Sequence, residues 1–188
     1  MNGNRFEGAA YVFNASNGNW AQQAELTPGN NTALDYFGAA VALSTNGDTA
    51  LISIGGSDNR QGAAYTFTDN NNHWTQQAEL RAGDGTAGDG FGFSMALSSD
   101  GSVVLIAASQ KTIGSNNDQG ASYIFNAKNS HWSQQAELVA SDGAKLDLFG
   151  QSVALSANGD IVLIGAFYKK TKDNLEQGAV YAFMRSTK

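Results

Sequence analysis

Repetition constrains this chain more than any other feature. The segment Gly8-Ala-Ala-Tyr-Val-Phe13 returns as Gly62-Ala-Ala-Tyr-Thr-Phe67, Gly120-Ala-Ser-Tyr-Ile-Phe125 and Gly178-Ala-Val-Tyr-Ala-Phe183, at intervals of 54, 58 and 58 residues. A second element, Trp20-x-Gln-Gln-Ala-Glu-Leu26, recurs from Trp74 and Trp132, and a third, Phe37-Gly38 followed by Ala-Leu-Ser, recurs from Phe91 and Phe149. Gly to Trp is always 12 residues and Trp to Phe-Gly always 17, whereas Phe-Gly to the next Gly-Ala is 25 residues once and 29 twice. One loop therefore varies on a constant scaffold. A repeat of this size is a unit that cannot bury its apolar face alone, so neighbouring units stack into a shared core.

The unit is all-β. Each copy has four short stretches of β character separated by turn residues, and no window of useful length carries a helical period. In the first strand Phe37, Ala39, Val41 and Leu43 share one face and the small residues Gly38, Ala40, Ala42 and Ser44 the other, which suits the innermost strand of a blade at a crowded axis. Asn46-Gly47, Asp100-Gly101 and Asn158-Gly159 then supply two-residue hairpin turns. The strand after each turn is apolar on both faces (Leu51-Ile52, Leu105-Ile106, Leu163-Ile164), as for a strand between neighbouring blades. The Trp-x-Gln-Gln-Ala-Glu-Leu strand, with its polar Gln and Glu, fits an outer edge.

Charge and composition exclude several functions. With 11 Lys and Arg against 17 Asp and Glu the chain is acidic, at net charge -6, which argues against nucleic acid or an anionic membrane as partner. The basic run Lys169, Lys170 and Lys172 is too short to reverse this. Without cysteine there are no disulfides, thiolate metal sites or thiol nucleophiles. No window approaches the roughly 18 apolar residues of a membrane span, and residues 1–20 lack the pattern of a signal peptide.

The order Phe-Gly, Leu-Ile, Gly-Ala-x-Tyr-x-Phe, Trp-x-Gln-Gln-Ala-Glu-Leu resembles bacterial FG-GAP repeats, relatives of the integrin α-subunit propeller, from about Gly8 to Phe183. The resemblance implies β-propeller blades of four strands, use outside the cell or at its surface, and adhesion or protein binding across one face. Many members carry an Asp-rich calcium loop between the first and second strands. Here Ser44–Asp48, Ser98–Ser102 and Ser156–Asp160 offer at most one carboxylate each, against the roughly six to eight oxygens calcium takes, so they read as plain turns and no cofactor is expected.

Other candidate chemistry has a structural explanation. Gly83-Asp-Gly85-Thr-Ala-Gly88 has the letters of a dinucleotide fingerprint, but no helix follows it and the other copies lose the pattern. Asp35, Asp89 and Asp147, two residues before each Phe-Gly, read as acceptors for backbone amides in the turn. His73 and His131 sit a blade apart on outer strands and read as solvated. No nucleophile elbow, metalloprotease motif or phosphate loop is present, and the chain reads as non-enzymatic.

The partner is expected to be protein, or further copies of the chain. The variable loop supplies the candidate contact residues: Asp58, Asn59 and Arg60 in the first unit, Lys111, Asn116, Asn117 and Asp118 in the second, and Tyr168, Lys169, Lys170, Lys172 and Asp173 in the third. A strand count supports the second kind of partner. A partial blade (1–26) is followed by full blades (37–80 and 91–138) and another partial blade (149–183), giving thirteen strands, or three four-stranded blades and one surplus strand. Closed propellers use about four to eight blades. The chain is accordingly expected to join other copies, with Trp20, Gln22, Ala24 and Leu26 forming a strand that completes the last blade of a neighbour, or to belong to a longer propeller.

Overall fold

The computed structural model describes residues 8–29, 36–55, 61–129, 131–170 and 176–185. Thirteen strands fall into four antiparallel sheets, and no helix occurs among the described residues. The hairpin β1(Ala10–Ser16) and β2(Asn19–Leu26) comes first. Two four-stranded meanders follow, β3(Phe37–Leu43), β4(Thr49–Ile54), β5(Ala63–Asp69), β6(Trp74–Leu80) and β7(Phe91–Leu97), β8(Val103–Ala108), β9(Ala121–Lys128), β10(His131–Leu138). The last sheet holds β11(Phe149–Leu155), β12(Ile161–Ala166) and β13(Ala179–Met184). The first strands stand side by side, with β7 against both β3 and β11, while β2, β6 and β10 are outer edges. These are propeller blades, as the repeat implied.

Local chemistry makes the turns. Ser98 Oγ donates to Asp100 Oδ1 (2.7 Å) and accepts from Val103 N (3.0 Å), and Gly101 beyond it takes φ +71°. Ser44 with Asn46 and Thr49, and Ser156 with Asn158 and Ile161, repeat the arrangement. The turn's oxygens are thus already bonded within the turn. The Ser102 amide, with the Ser98 and Ser102 hydroxyls, holds the Asp100 carboxyl below its ordinary value.

Blades stack through their second strands and through one backbone contact. All six residues of β4 and of β8 are buried. Leu51, Ala64 and Leu80 of one blade meet Phe91, Val104, Ile106 and Tyr123 of the next. Each Phe ring packs against the Tyr and Phe of its own third strand, edge-on in the case of Phe149 with Tyr181 (5.4 Å) and Phe183 (6.1 Å). Its backbone meanwhile rests on the glycine of the preceding third strand. A methyl group on Gly8, Gly62 or Gly120 would lie 2.1, 2.2 or 2.1 Å from the carbonyl oxygen of Phe37, Phe91 or Phe149. The second residue of Phe-Gly is glycine because φ is +92° at Gly92 and +100° at Gly150, where a side chain would also strike Ser53 and Ala107 of the preceding blade. This kink makes the register shift between Phe91 and Met95, an irregularity that simple alternation along the strand does not show.

The two ends of the array are left open. Leu51 and Leu105 are fully buried by the blade that follows each, but Leu163 at the same phase is 47% exposed. Beside it Val180 is 71% exposed where Ala64 and Ser122 are buried. At the other end Tyr11, Phe13 and Trp20 are exposed, although their counterparts Tyr123 and Phe125 are buried and Trp132 packs in the core. Between the hairpin and β3–β4 runs an apolar groove of about 570 Å³ lined by Tyr11, Phe13, Val41, Leu43 and Ile52.

Candidate interaction surfaces

The loops that join the fourth strand of one blade to the first of the next, and the second to the third, share one end of the array. Lys111 in the variable β8–β9 loop points inward rather than toward solvent. Its Nζ meets Asp84 Oδ2 at 2.9 Å, Asp89 Oδ2 at 3.4 Å and the Asp84 carbonyl at 3.0 Å. The next blade repeats the staple, with Lys169 on Asp147 (3.0 Å) and on both the carboxylate and the carbonyl of Asp142. Lys111 and Lys169 are buried, so the expectation that they face a partner is corrected: each ties two loops of its own blade together. Asp89 and Asp147 also accept from the amides of Thr86 and Ala144, the turn role read for them, while Asp35 lies outside the described residues.

The third-strand tyrosines close the cluster. Tyr123 Oη donates to Asp84 Oδ1 at 2.9 Å and Tyr181 Oη to Asp142 Oδ1 at 2.7 Å. Partial burial would raise the Asp84 carboxyl, but hydrogen bonds from Lys111 and Tyr123 outweigh it and hold the group below its ordinary value. Burial likewise opposes the Lys111 charge, and its two carboxylates still push the ammonium above its ordinary value. Burial and the bond to Asp84 raise the Tyr123 hydroxyl, and the bond from Tyr181 lowers Asp142. The arrangement is a charge-assisted clasp.

The remaining candidates divide. Asn116 donates to Gln119 Oε1 (2.8 Å) and to the Gly143 carbonyl, and Asn117 and Asp118 accept at their carbonyls from the amides of Leu146 and Leu148, so this loop clips onto the loop of the next blade. Asn117 keeps an exposed side chain. Tyr168 and Lys170 are exposed, Tyr168 edge-on to Phe167 at 4.9 Å and Lys170 4.0 Å from Glu176. Asp58, Asn59, Arg60, Lys172 and Asp173 lie outside the described residues. His73 and His131 are exposed, and among the described residues no group of three or more His, Asp or Glu gathers as metal ligands. On β2, Trp20 and Gln22 are exposed, Ala24 is half-buried and Leu26 is buried.

Two residues that the reading of the loops passed over stand out here. Leu146 and Leu148 have φ of +69° and +52°, a left-handed conformation that costs a non-glycine residue roughly 1–2 kcal/mol. The preceding unit places Gly88 and Gly90 at these two phases, with φ of +88° and +70°. The first unit places Tyr36 at the second of these phases with φ of +49°, so the left-handed turn belongs to the repeat, and the sequence showed which residues occupy it but not its handedness. Leu146 is 51% exposed, and with Leu148, Tyr168, Lys170 and Glu176 it lines a hollow of about 250 Å³.

Among solved structures, TolB from Acinetobacter baumannii is similar at 15% identity and a TM-score of 0.41, over 95% of this chain and 38% of that one. The chain thus spans 38% of that protein's length. No curated protein matches the sequence. The FG-GAP repeat family matches three times in succession, over residues 20–67, 74–125 and 132–183, with each match running from one Trp strand to the next Gly-Ala-x-Tyr-x-Phe strand. A match recurring over most of the described strands, in phase with the blades, settles the kinship: the chain belongs to the FG-GAP repeat family.

Proposed function

We propose that this chain is a non-enzymatic module that binds protein, acting in adhesion outside the cell or at its surface. The observation that carries the reading is the pair Leu146 and Leu148. Both hold a costly backbone conformation that the neighbouring unit meets with glycine, and Leu146 puts its apolar side chain into solvent beside Tyr168. Strain kept at an exposed loop on a rigid scaffold points to recognition. The exposed Lys170, which lines the hollow, and the exposed Lys145, next to Leu146 in the chain, favour a segment with one apolar anchor among carboxylates. Selection of a random displayed peptide library on the immobilised chain, with a glycan array run in parallel, tests this. Enrichment of acidic peptides with an apolar anchor is the expected result, and glycan binding without peptide enrichment overturns it.

Self-assembly is a second reading, favoured by a different observation. The residues exposed at the two ends of the array are those that the intact blades bury between them, Leu163 against Leu51 and Leu105 above all.

A further inference from the structure

We propose that Asn17 is a site of spontaneous covalent modification: its side-chain amide is lost through attack by the Gly18 backbone nitrogen, and aspartate or isoaspartate takes its place.

The chain holds four Asn-Gly pairs, the pairing most open to this reaction because glycine has no side chain to shield its amide. Asn2-Gly3 lies outside the described residues, and the fold treats the other three differently. At Asn46-Gly47 and Asn158-Gly159 both reacting groups are held. Asn46 Oδ1 accepts from Ser44 Oγ at 2.6 Å and from the Asp48 amide at 3.2 Å, and the Gly47 amide donates to the Ser44 carbonyl at 2.9 Å. Asn158 repeats these bonds with Ser156 and Asp160 and adds one from its Nδ2 to Asp160 Oδ2 at 2.8 Å. Asn17 and Gly18, by contrast, are exposed at the tip of the β1–β2 hairpin. Among the described residues neither the Asn17 side chain nor the Gly18 amide has a hydrogen-bond partner, and nothing lies within 4 Å of where a Gly18 methyl would stand.

The turn also suits the ring that must form. Asn17 and Gly18 have φ of +52° and +78°, the two-residue type I′ turn that sets Ser16 opposite Asn19. Rotating the one peptide between them gives type II′, which keeps φ positive at the first residue and closes a two-residue hairpin as well. Gly18 accepts the change in its own φ, and the rotation swings its nitrogen toward the Asn17 side chain while the strands stay paired.

The Gly18 nitrogen, its proton removed by base, bonds to Asn17 Cγ, and the Cγ–Nδ2 bond breaks as ammonia leaves with a proton. Water then opens the five-membered imide. Opening at the side-chain carbonyl leaves aspartate; opening at the main-chain carbonyl leaves isoaspartate, with the chain running through Cγ. One water enters, one ammonia leaves and nothing is oxidised. Either product adds one negative charge to the net -6. Aspartate tolerates the left-handed turn. Isoaspartate adds a methylene to a loop whose length fixes the register, so the Ser16–Asn19 pair is lost.

The repeat supplies the controls. Asn71 and Asn129 hold the same phase with φ of +55° and +51° and are also exposed, but Asn72 and Ser130 follow them in place of glycine. The chain is held for days in warm, mildly alkaline buffer and digested with chymotrypsin, which frees residues 14–20 by cutting after Phe13 and Trp20. Electron-transfer fragmentation of the peptides tells asparagine, aspartate and isoaspartate apart. Amide loss at Asn17 is expected to outrun that at Asn46 and Asn158 in the folded chain, and the three are expected to convert alike in urea. Gly18→Asn, which copies the Asn71-Asn72 turn, should slow the loss at Asn17 to that at Asn71. Asn72→Gly, at a φ of +65° that glycine accepts, should create the loss at Asn71. An Asn17 amide that survives in the folded chain overturns the proposal. Equal conversion of the three pairs in the folded chain, or a lead of Asn17 that persists in urea, overturns the part given to the fold.

Discussion

Gly120 and Phe149 touch backbone to backbone: the glycine's α-carbon has no room for a methyl group, which would fall 2.1 Å from the Phe149 carbonyl oxygen. The same contact recurs at each junction and sets how closely blades stack. Gly120→Ala combines left-handed strain (φ +88°) with a clash against rigid backbone and is expected to cost about 3 kcal/mol. Gly47→Ala has the strain (φ +80°) but open space around it and should cost about 1 kcal/mol. Urea unfolding of the two variants checks the difference.

The Lys111 clasp carries a stability and a pH prediction. Lys111→Met strands the buried Asp89 carboxylate and is expected to cost about 3 kcal/mol, whereas Lys170→Met, in an exposed pair, should stay within about 0.5 kcal/mol. Asp84 titrates below its ordinary 3.8 in the folded chain, so its contribution is complete above that value and is lost as pH falls through the lower folded one. Asp84→Asn should therefore be less stable than the parent at neutral pH, with the gap closing below pH 3.8. Lys111 titrates above 10.5, so its share persists up to that pH and fades above it. Thermal melts across pH check both.

At the hairpin turns, serine does the work that a bound ion would otherwise be asked to do. Ser98→Ala removes the acceptor of the Val103 amide and a donor to Asp100, and is expected to cost about 1–2 kcal/mol. Calcium should leave Tm unchanged. A rise in Tm with calcium, abolished by Asp48→Ala and Asp160→Ala, would contradict this account of the turns.

Strand order and the buried second strands were legible because spacing and apolar pattern recur in every unit, so each copy of Leu-Ile checked the others. What spacing cannot carry is direction and handedness. Lys111 and Lys169 sit in the loop that varies in length, and a lysine in such a loop reads as solvent-facing until Asp84 and Asp89, some 22 to 27 residues away, are seen to fold over it. Leu146 and Leu148 read as ordinary loop residues because a one-letter sequence hides the sign of φ. The exposure of Leu163 is likewise a property of what stands beside it, since Leu51 and Leu105 have the same local sequence and are buried.

The most direct test of the proposed function is to give Leu146 and Leu148 the residues their neighbour uses. The Leu146→Gly, Leu148→Gly double variant relieves two left-handed leucines and is expected to be no less stable than the parent, or more stable by about 1 kcal/mol. Its binding to peptides selected on the parent chain, measured by calorimetry, should fall at least about tenfold. Unchanged peptide affinity in a well-folded double variant would contradict the claim that this strained apolar pair is the partner-binding site.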